Sequence, residues 1–264
     1  MVSSERPQNV IRSDERKPKD FLDAISSFRV RLLETEFDKG AATSLEGDLK
    51  ATGLFLLGEL HGSRENAEII YTLFEKFGFS TLGLEWHPSL APCIDTYLKT
   101  GSLDFSALEH SGDGRITAGH FAVLKTLHET GQLQKVVCFD EGDLVGSWDG
   151  RDTNMAKNIL ANIEAGPMLV IAGNLHTNIA PITFDGESHH PMGERVREQI
   201  PAAPTGKIRY LRGSFFNFGI EDAGEEPEST STTPRFFRTN KGYVFELPES
   251  HPATVPSPNE PLDD

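Results

Sequence analysis

Apolar runs and amphipathic stretches alternate along the chain from about residue 20 to residue 247. The runs Leu54–Glu59 (LFLLGE), Thr81–Glu85 (TLGLE), Lys135–Asp140 (KVVCFD), Met168–Ala172 (MLVIA) and Ile208–Arg212 (IRYLR) predict strands. Phe236–Arg238 and Tyr243–Leu247 predict a final antiparallel pair turning near Asn240-Lys241-Gly242. Between them, helical spacing predicts Lys19–Thr35, Arg64–Phe77, Ser89–Lys99, Ala118–Thr130, Met155–Glu164 and Gly193–Gln199. Ser63 and Ser89 stand where helices open, and Gly78, Gly101 and Gly131 where they close. The segments LFLL, KVVCF and MLVIA are continuously apolar, as strands covered on both faces must be. The fold class that follows is α/β: a mostly parallel central sheet flanked by helices, with a short antiparallel C-terminal pair.

The ends break this rhythm. Residues 1–19 are charged and unpatterned and read as a flexible arm. Residues 20–247 read as a single α/β domain. Residues 248–264 hold five prolines and several acids, and read as a disordered tail. Glu221–Pro234, acidic and rich in Ser and Thr, reads as a surface loop. A chain of 264 residues with 37% hydrophobic and 25% charged residues has enough apolar side chains for one large core. Its net charge of -15 repels phosphate backbones and anionic headgroups, which argues against nucleic acid and membrane partners. Cys93 and Cys138 lack any pairing pattern and read as buried thiols of a reduced, cytoplasmic protein. The N-terminal cations come without an apolar run, and no stretch reaches the ~20 apolar residues of a membrane span.

Candidate chemistry collects at the strand ends. In an open parallel sheet, ligands bind beyond the carboxyl ends of the strands. Those ends here read Gly58-Glu59-Leu60-His61-Gly62, Glu85-Trp86-His87-Pro88, Asp140-Glu141-Gly142-Asp143 and Gly173-Asn174-Leu175-His176-Thr177. An imidazole can take a proton from water and return it, and a carboxylate beside it fixes its tautomer. Arg64 and Arg151 offer planar, permanently charged donors for a carbonyl or oxyanion. Taken singly, each of these residues has a structural reading. A lone strand-end histidine is more often a hydrogen-bonded structural residue, Glu85 reads equally as a salt-bridge partner, and His87 before Pro88 can simply cap a helix. His110, His120 and His128 read as surface residues, and Asp140, Glu141 and Asp143 as a solvated loop face or a hard-cation site without calcium-loop spacing. The recurrence on successive strand ends is what favours function. No GxSxG elbow, HExxH motif or phosphate-binding Walker loop is present.

The motifs GELHG (58–62), GLEWH (83–87), RDTNMAKNI (151–159) and AGNLH (172–176), in this order, resemble the superfamily of erythromycin esterase-like, haem-uptake ChaN-like and TIKI/TraB proteins. The likeness runs from Leu54 to Thr177. It implies an α/β core and a hydrolase in which His61 activates water for attack on an ester, lactone or amide. Glu59 and Glu85 would orient the base or the water, His176 would supply a second imidazole, and Arg151 would stabilise charge. Arg64, His87 and Asn174 become candidate contacts for a small-molecule substrate. The TIKI-like branch implies a divalent metal and the ChaN-like branch haem, which makes a metal-dependent hydrolase or a haem- or metal-binding protein the alternatives. GELH has one residue fewer between acid and histidine than the esterase branch, as in the other two.

Overall fold

The computed structural model describes residues 18–108, 113–142, 146–184, 186–224 and 231–256. In chain order the elements are α1 (Pro18–Ser27), β1 (Glu36–Phe37), α2 (Lys39–Thr52), β2 (Leu54–Glu59), α3 (Glu65–Phe77), β3 (Thr81–Leu84), α4 (Ala91–Thr100), α5 (Ala118–Glu129) and β4 (Lys135–Cys138). There follow α6 (Trp148–Leu160), β5 (Met168–Gly173), β6 (Ile182–Phe184), β7 (Glu187–His189), α7 (Met192–Gln199), β8 (Thr205–Tyr210), β9 (Ser214–Phe216), β10 (Ile220–Asp222), β11 (Arg235–Thr239) and β12 (Gly242–Leu247). Eight strands form one sheet in the order β1-β11-β12-β8-β2-β5-β3-β4. Its pairings are parallel except β11 with β12. The expected architecture, with its antiparallel C-terminal pair, is therefore present.

The alternation of side chains along a strand explains the continuous apolar runs. Phe55 and Leu57 enter the core on the side of α3 and α5, while Leu54 and Leu56 enter the core on the side of α6. All four are fully buried, each worth about 1.5–3 kcal/mol relative to exposure. The chain crosses from β2 to β3 through α3 on one face and from β4 to β5 through α6 on the other. In open parallel sheets such a change of face is where ligands bind, at the carboxyl ends of the strands, here β2, β5 and β3.

Several boundaries differ from the sequence reading. The first helix stops at Ser27, and residues 28–35 run without helix. Helix α2 is absent from the reading because its small residues give little apolar periodicity. It is set instead by its caps: Asp38 accepts from the Ala41 N–H at 2.7 Å, and Gly53 closes it at φ +74°. Helix α6 opens at Trp148 under a Ser147 cap, seven residues ahead of Met155. Strand β8 starts at Thr205, since Leu56 to Gly58 take Thr205 to Lys207 as parallel partners.

The proline-rich end needs the largest correction. Residues 250–255 are packed, with Ser250, Ala253 and Val255 buried. Proline removes donors without preventing a packed strap, and the main-chain groups of Ser250 and His251, the Ala253 N–H and the Thr254 carbonyl are hydrogen-bonded to the domain. The arm (1–17), the last residues (257–264) and positions 225–230 of the acidic insert lie outside the described residues.

Candidate active site

Glu59 is the last residue of β2, Glu85 follows β3, and Gly173 ends β5, three residues before His176. Because these strands are parallel neighbours, their ends meet. His61 Nδ1 lies 3.0 Å from Glu59 Oε1, and its Nε2 lies 3.6 Å from Glu85 Oε2. His176 Nε2 approaches the other oxygen of Glu85 at 3.5 Å. Its Nδ1 is held by Asp152, at 2.9 and 3.1 Å from the two oxygens. Two imidazoles, each anchored through Nδ1 on a buried carboxylate, thus turn Nε2 toward one shared carboxylate. Gly173 makes this approach possible. A Cβ there would stand 3.1 Å from His61 Nε2 and 3.5 Å from Glu85 Oε2.

The shared carboxylate is itself tightly held. The Gly173 N–H donates to Glu85 Oε2 at 2.6 Å, and Arg151 Nη2 donates to Oε1 at 3.1 Å. Arg151 also donates twice to Asp140, at 2.9 and 2.6 Å. Arg115 donates to Asp140 at 2.9 Å and stands 3.6 Å from Glu85. On the other side, Asn66 of α3 donates to Glu59 Oε2 at 2.7 Å, and Tyr210 of β8 donates to Asn66 at 2.5 Å.

These contacts set the charges. Burial alone would push Glu85 up, but the two histidines and Arg115 outweigh it and hold it well below the usual carboxylate range. Glu59 has fewer cationic partners, and burial raises it despite its bond to His61. Burial pulls His61 down, yet the charge of Glu85 and the hydrogen bonds to both glutamates win and push the imidazole up to about 10. The resting cluster therefore stores a proton on His61.

The structure brings together Glu59, His61, Glu85, His176 and Arg151. The three expected substrate contacts lie elsewhere. Arg64 is exposed and stacks over the Phe28 ring at 5.5 Å. His87 caps the turn after β3, accepting from the Ser89 N–H at 3.2 Å. Asn174 lies under Gly58, on the side of β2 opposite Glu59, and its buried Oδ1 has no partner among the described residues. Two surface assignments also fail. His120 is 1% exposed, edge-on to Trp86, and burial together with the charge of His61 depresses its pKa to about 3. Asp140 is buried under two guanidinium groups instead of facing solvent. Asp143 and His110 lie outside the described residues.

Sequence reasoning missed Asp152, Arg115, Asn66 and Tyr210. Asp152 had a signal, an acid on α6 directly after Arg151, although acids on helices usually face solvent. One turn earlier on the same face stands Trp148, whose indole stacks on His176 at 5.0 Å and 16°.

A divalent ion does not fit this donor set. The oxygens of Glu85 are already engaged by an amide and by guanidinium groups whose charge opposes a cation. Among the described residues, no group of three or more His, Cys, Asp or Glu side chains is disposed to hold a metal. A haem iron would have to compete with Glu85 for either Nε2, at 3.6 Å from His61 and 3.5 Å from His176.

The sheet and the strand-end cluster define an α/β protein with the erythromycin esterase-like, ChaN-like fold. No family model and no curated protein matches the chain by sequence. Among solved structures, a succinoglycan biosynthesis protein aligns at TM-score 0.62 and 12% identity, over 90% of this chain and 98% of that one. A Bacillus cereus protein aligns at 0.60 and 11%, over 91% and 100%. An erythromycin esterase, a mutant of EreC in its open conformation, aligns at 0.57 and 12%, over 81% and 94%. At such identities the likeness is one of fold. Among the described residues, no helix is long and apolar enough to cross a membrane.

Proposed function

We propose that the chain is a hydrolase that uses water to cleave a small-molecule ester, lactone or amide, with His61 as the base. The observation that carries this reading is the pair of histidine–carboxylate dyads facing Glu85. Glu59 keeps the His61 proton on Nδ1, so that Nε2 can take a proton from water placed between it and the substrate carbonyl. Glu85, held ionised by its cations, stabilises the imidazolium that results. The protonated His61 Nε2 then returns this proton to the departing oxygen or nitrogen, while His176, with Nδ1 fixed by Asp152, holds the other side of Glu85. The net change is one water consumed and one acyl bond broken, with His61 back in its starting state. The fold shared with an erythromycin esterase supports the same class of reaction.

A base pushed up to about 10 is strong but seldom free. At pH 7 about one molecule in a thousand carries the neutral imidazole. Turnover is therefore expected to climb with pH until His61 has titrated. The test is a broad esterase, lactonase and amidase screen at pH 7 to 10, with and without added divalent metals. His61→Ala should then abolish the turnover found in a protein that stays folded. Undiminished kcat in that variant removes His61 from the role.

A further inference from the structure

His61 sits in the short connection between β2 and α3, and the backbone of that connection is tied down by the C-terminal end of the chain. Gly62 O accepts from the N–H groups of Phe216 at 3.1 Å and Ala253 at 2.8 Å. The Arg64 N–H donates to His251 O at 2.8 Å, and the Ala118 N–H of α5 donates to Thr254 O at 2.8 Å. Gly62 has φ +72°, and a Cβ there would overlap the Phe216 carbonyl, so the loop and the β9 arm touch through backbone alone. Ser250 joins the same structure by exchanging main-chain bonds with Arg212 and Ser214, each at 3.0 Å.

One side-chain group closes this strap. Glu65, in the first turn of α3, accepts from Ser63 Oγ at 3.1 Å and from the His251 N–H at 2.9 Å through one oxygen. Its other oxygen lies 2.8 Å from His251 Nδ1. The carboxylate thus clips the strap to the residue two beyond His61 and to the helix that follows. Asn66, the next residue, is the one that holds Glu59 and the Leu60 carbonyl, at 2.7 and 2.9 Å. Loosening Glu65 would therefore loosen the His61 backbone and the support of its carboxylate together.

We propose that the Glu65–His251 clip is a positioning element for His61, making residues 250–255 a working part of the site. The strap touches no reacting atom, and its effect passes through the distance from His61 to Glu85, now 3.6 Å. Widening that gap by about 1.5 Å, at an effective dielectric of about 20, lowers the pKa of His61 by about one unit. The consequence for turnover rests on the hydrolytic reading, whereas the effect on His61 itself does not.

The experiment compares full-length wild type with His251→Ala, His251→Gln and Glu65→Gln, reading the His61 ring titration by NMR and the thermal midpoint of each. The expected result is a His61 titration lower by about one unit in His251→Ala. His251→Gln, which keeps an amide donor for Glu65, should move it back toward wild type. With a hydrolysed substrate in hand, the rising limb of the pH–rate profile in His251→Ala should move down by the same unit while KM changes less than about twofold. A folded His251→Ala whose His61 titrates as in wild type overturns the proposal. Should that variant not fold, the same comparison on Glu65→Gln decides it. A shifted titration in a protein that hydrolyses nothing leaves the clip standing and removes the hydrolase reading instead.

Discussion

His61 and His176 face the same carboxylate from two different settings. The His61 side chain is 20% exposed, rests on a loop, and is anchored by Glu59, a carboxylate that burial raises. The His176 side chain is 6% exposed, lies under the Trp148 indole, and is anchored by Asp152, which is 0% exposed and also accepts from the Met192 N–H at 2.5 Å. One imidazole can be reached by water and is free to exchange protons with it. The other is a packed part of the α6–α7 side of the domain. Paired acids and bases in one cluster divide their work by environment rather than by residue type.

The sharpest way to break this comparison is to remove each ring. His61→Ala should cost about two to four powers of ten in kcat/KM, by the usual yield of a positioned base, with a stability loss that fades as pH rises through about 10. His176→Ala should also lower turnover, but its mark is stability. It takes away one of the hydrogen-bond partners of the buried Asp152, a loss of about 1–3 kcal/mol by thermal or denaturant unfolding. Equal turnover losses in the two variants would erase the distinction.

A second test addresses the charge that the two rings share. Glu85→Gln removes the main cause of the raised His61 pKa while keeping an oxygen to accept from the Gly173 N–H. The rising limb of the pH–rate profile should move from about 10 toward the ordinary histidine value, even as the maximal rate falls. An unmoved limb would mean that another group controls it.

Stability should follow the same titration. The folded pKa of His61 lies above its unfolded value of 6.5, so its contribution is fully present below pH 6.5 and is lost as pH rises through about 10. His120 works in the opposite direction. Its folded value near 3 lies below 6.5, so the native state loses stability as pH falls from 6.5 toward 3. His120→Phe should flatten the acid side of the stability curve, and a His61→Gln variant the alkaline side. Smallest of all is the effect at the exposed turn after β3. His87→Ala should stay within about 0.5 kcal/mol in stability and leave turnover unchanged, as expected for an exposed cap of a single turn.

Much of the fold was legible because its strands are buried on both faces. LFLL and MLVIA have no polar position to hide, and their parallel direction places the residues that follow them on one edge. Helix α2 was not legible, since it is held by its caps and its packing rather than by periodicity. The strap was misread for a related reason. Its prolines and acids are those of a solvated tail, and residues far away in sequence, among them Gly62, Arg64, Glu65, Ala118, Arg212 and Ser214, give its groups partners.

The sequence by itself determined which residue types stand at the strand ends, and hence that Glu59, His61, Glu85 and His176 share one edge of the sheet. Hydrophobic patterning is local, and strand direction follows from it. Tertiary structure decided everything that depends on distance: that Arg64 and His87 face away, that Asp152 rather than a glutamate holds His176, and that His61 keeps its proton. Electrostatic energy varies with separation and with burial, and a linear string of residues encodes neither until the chain has packed.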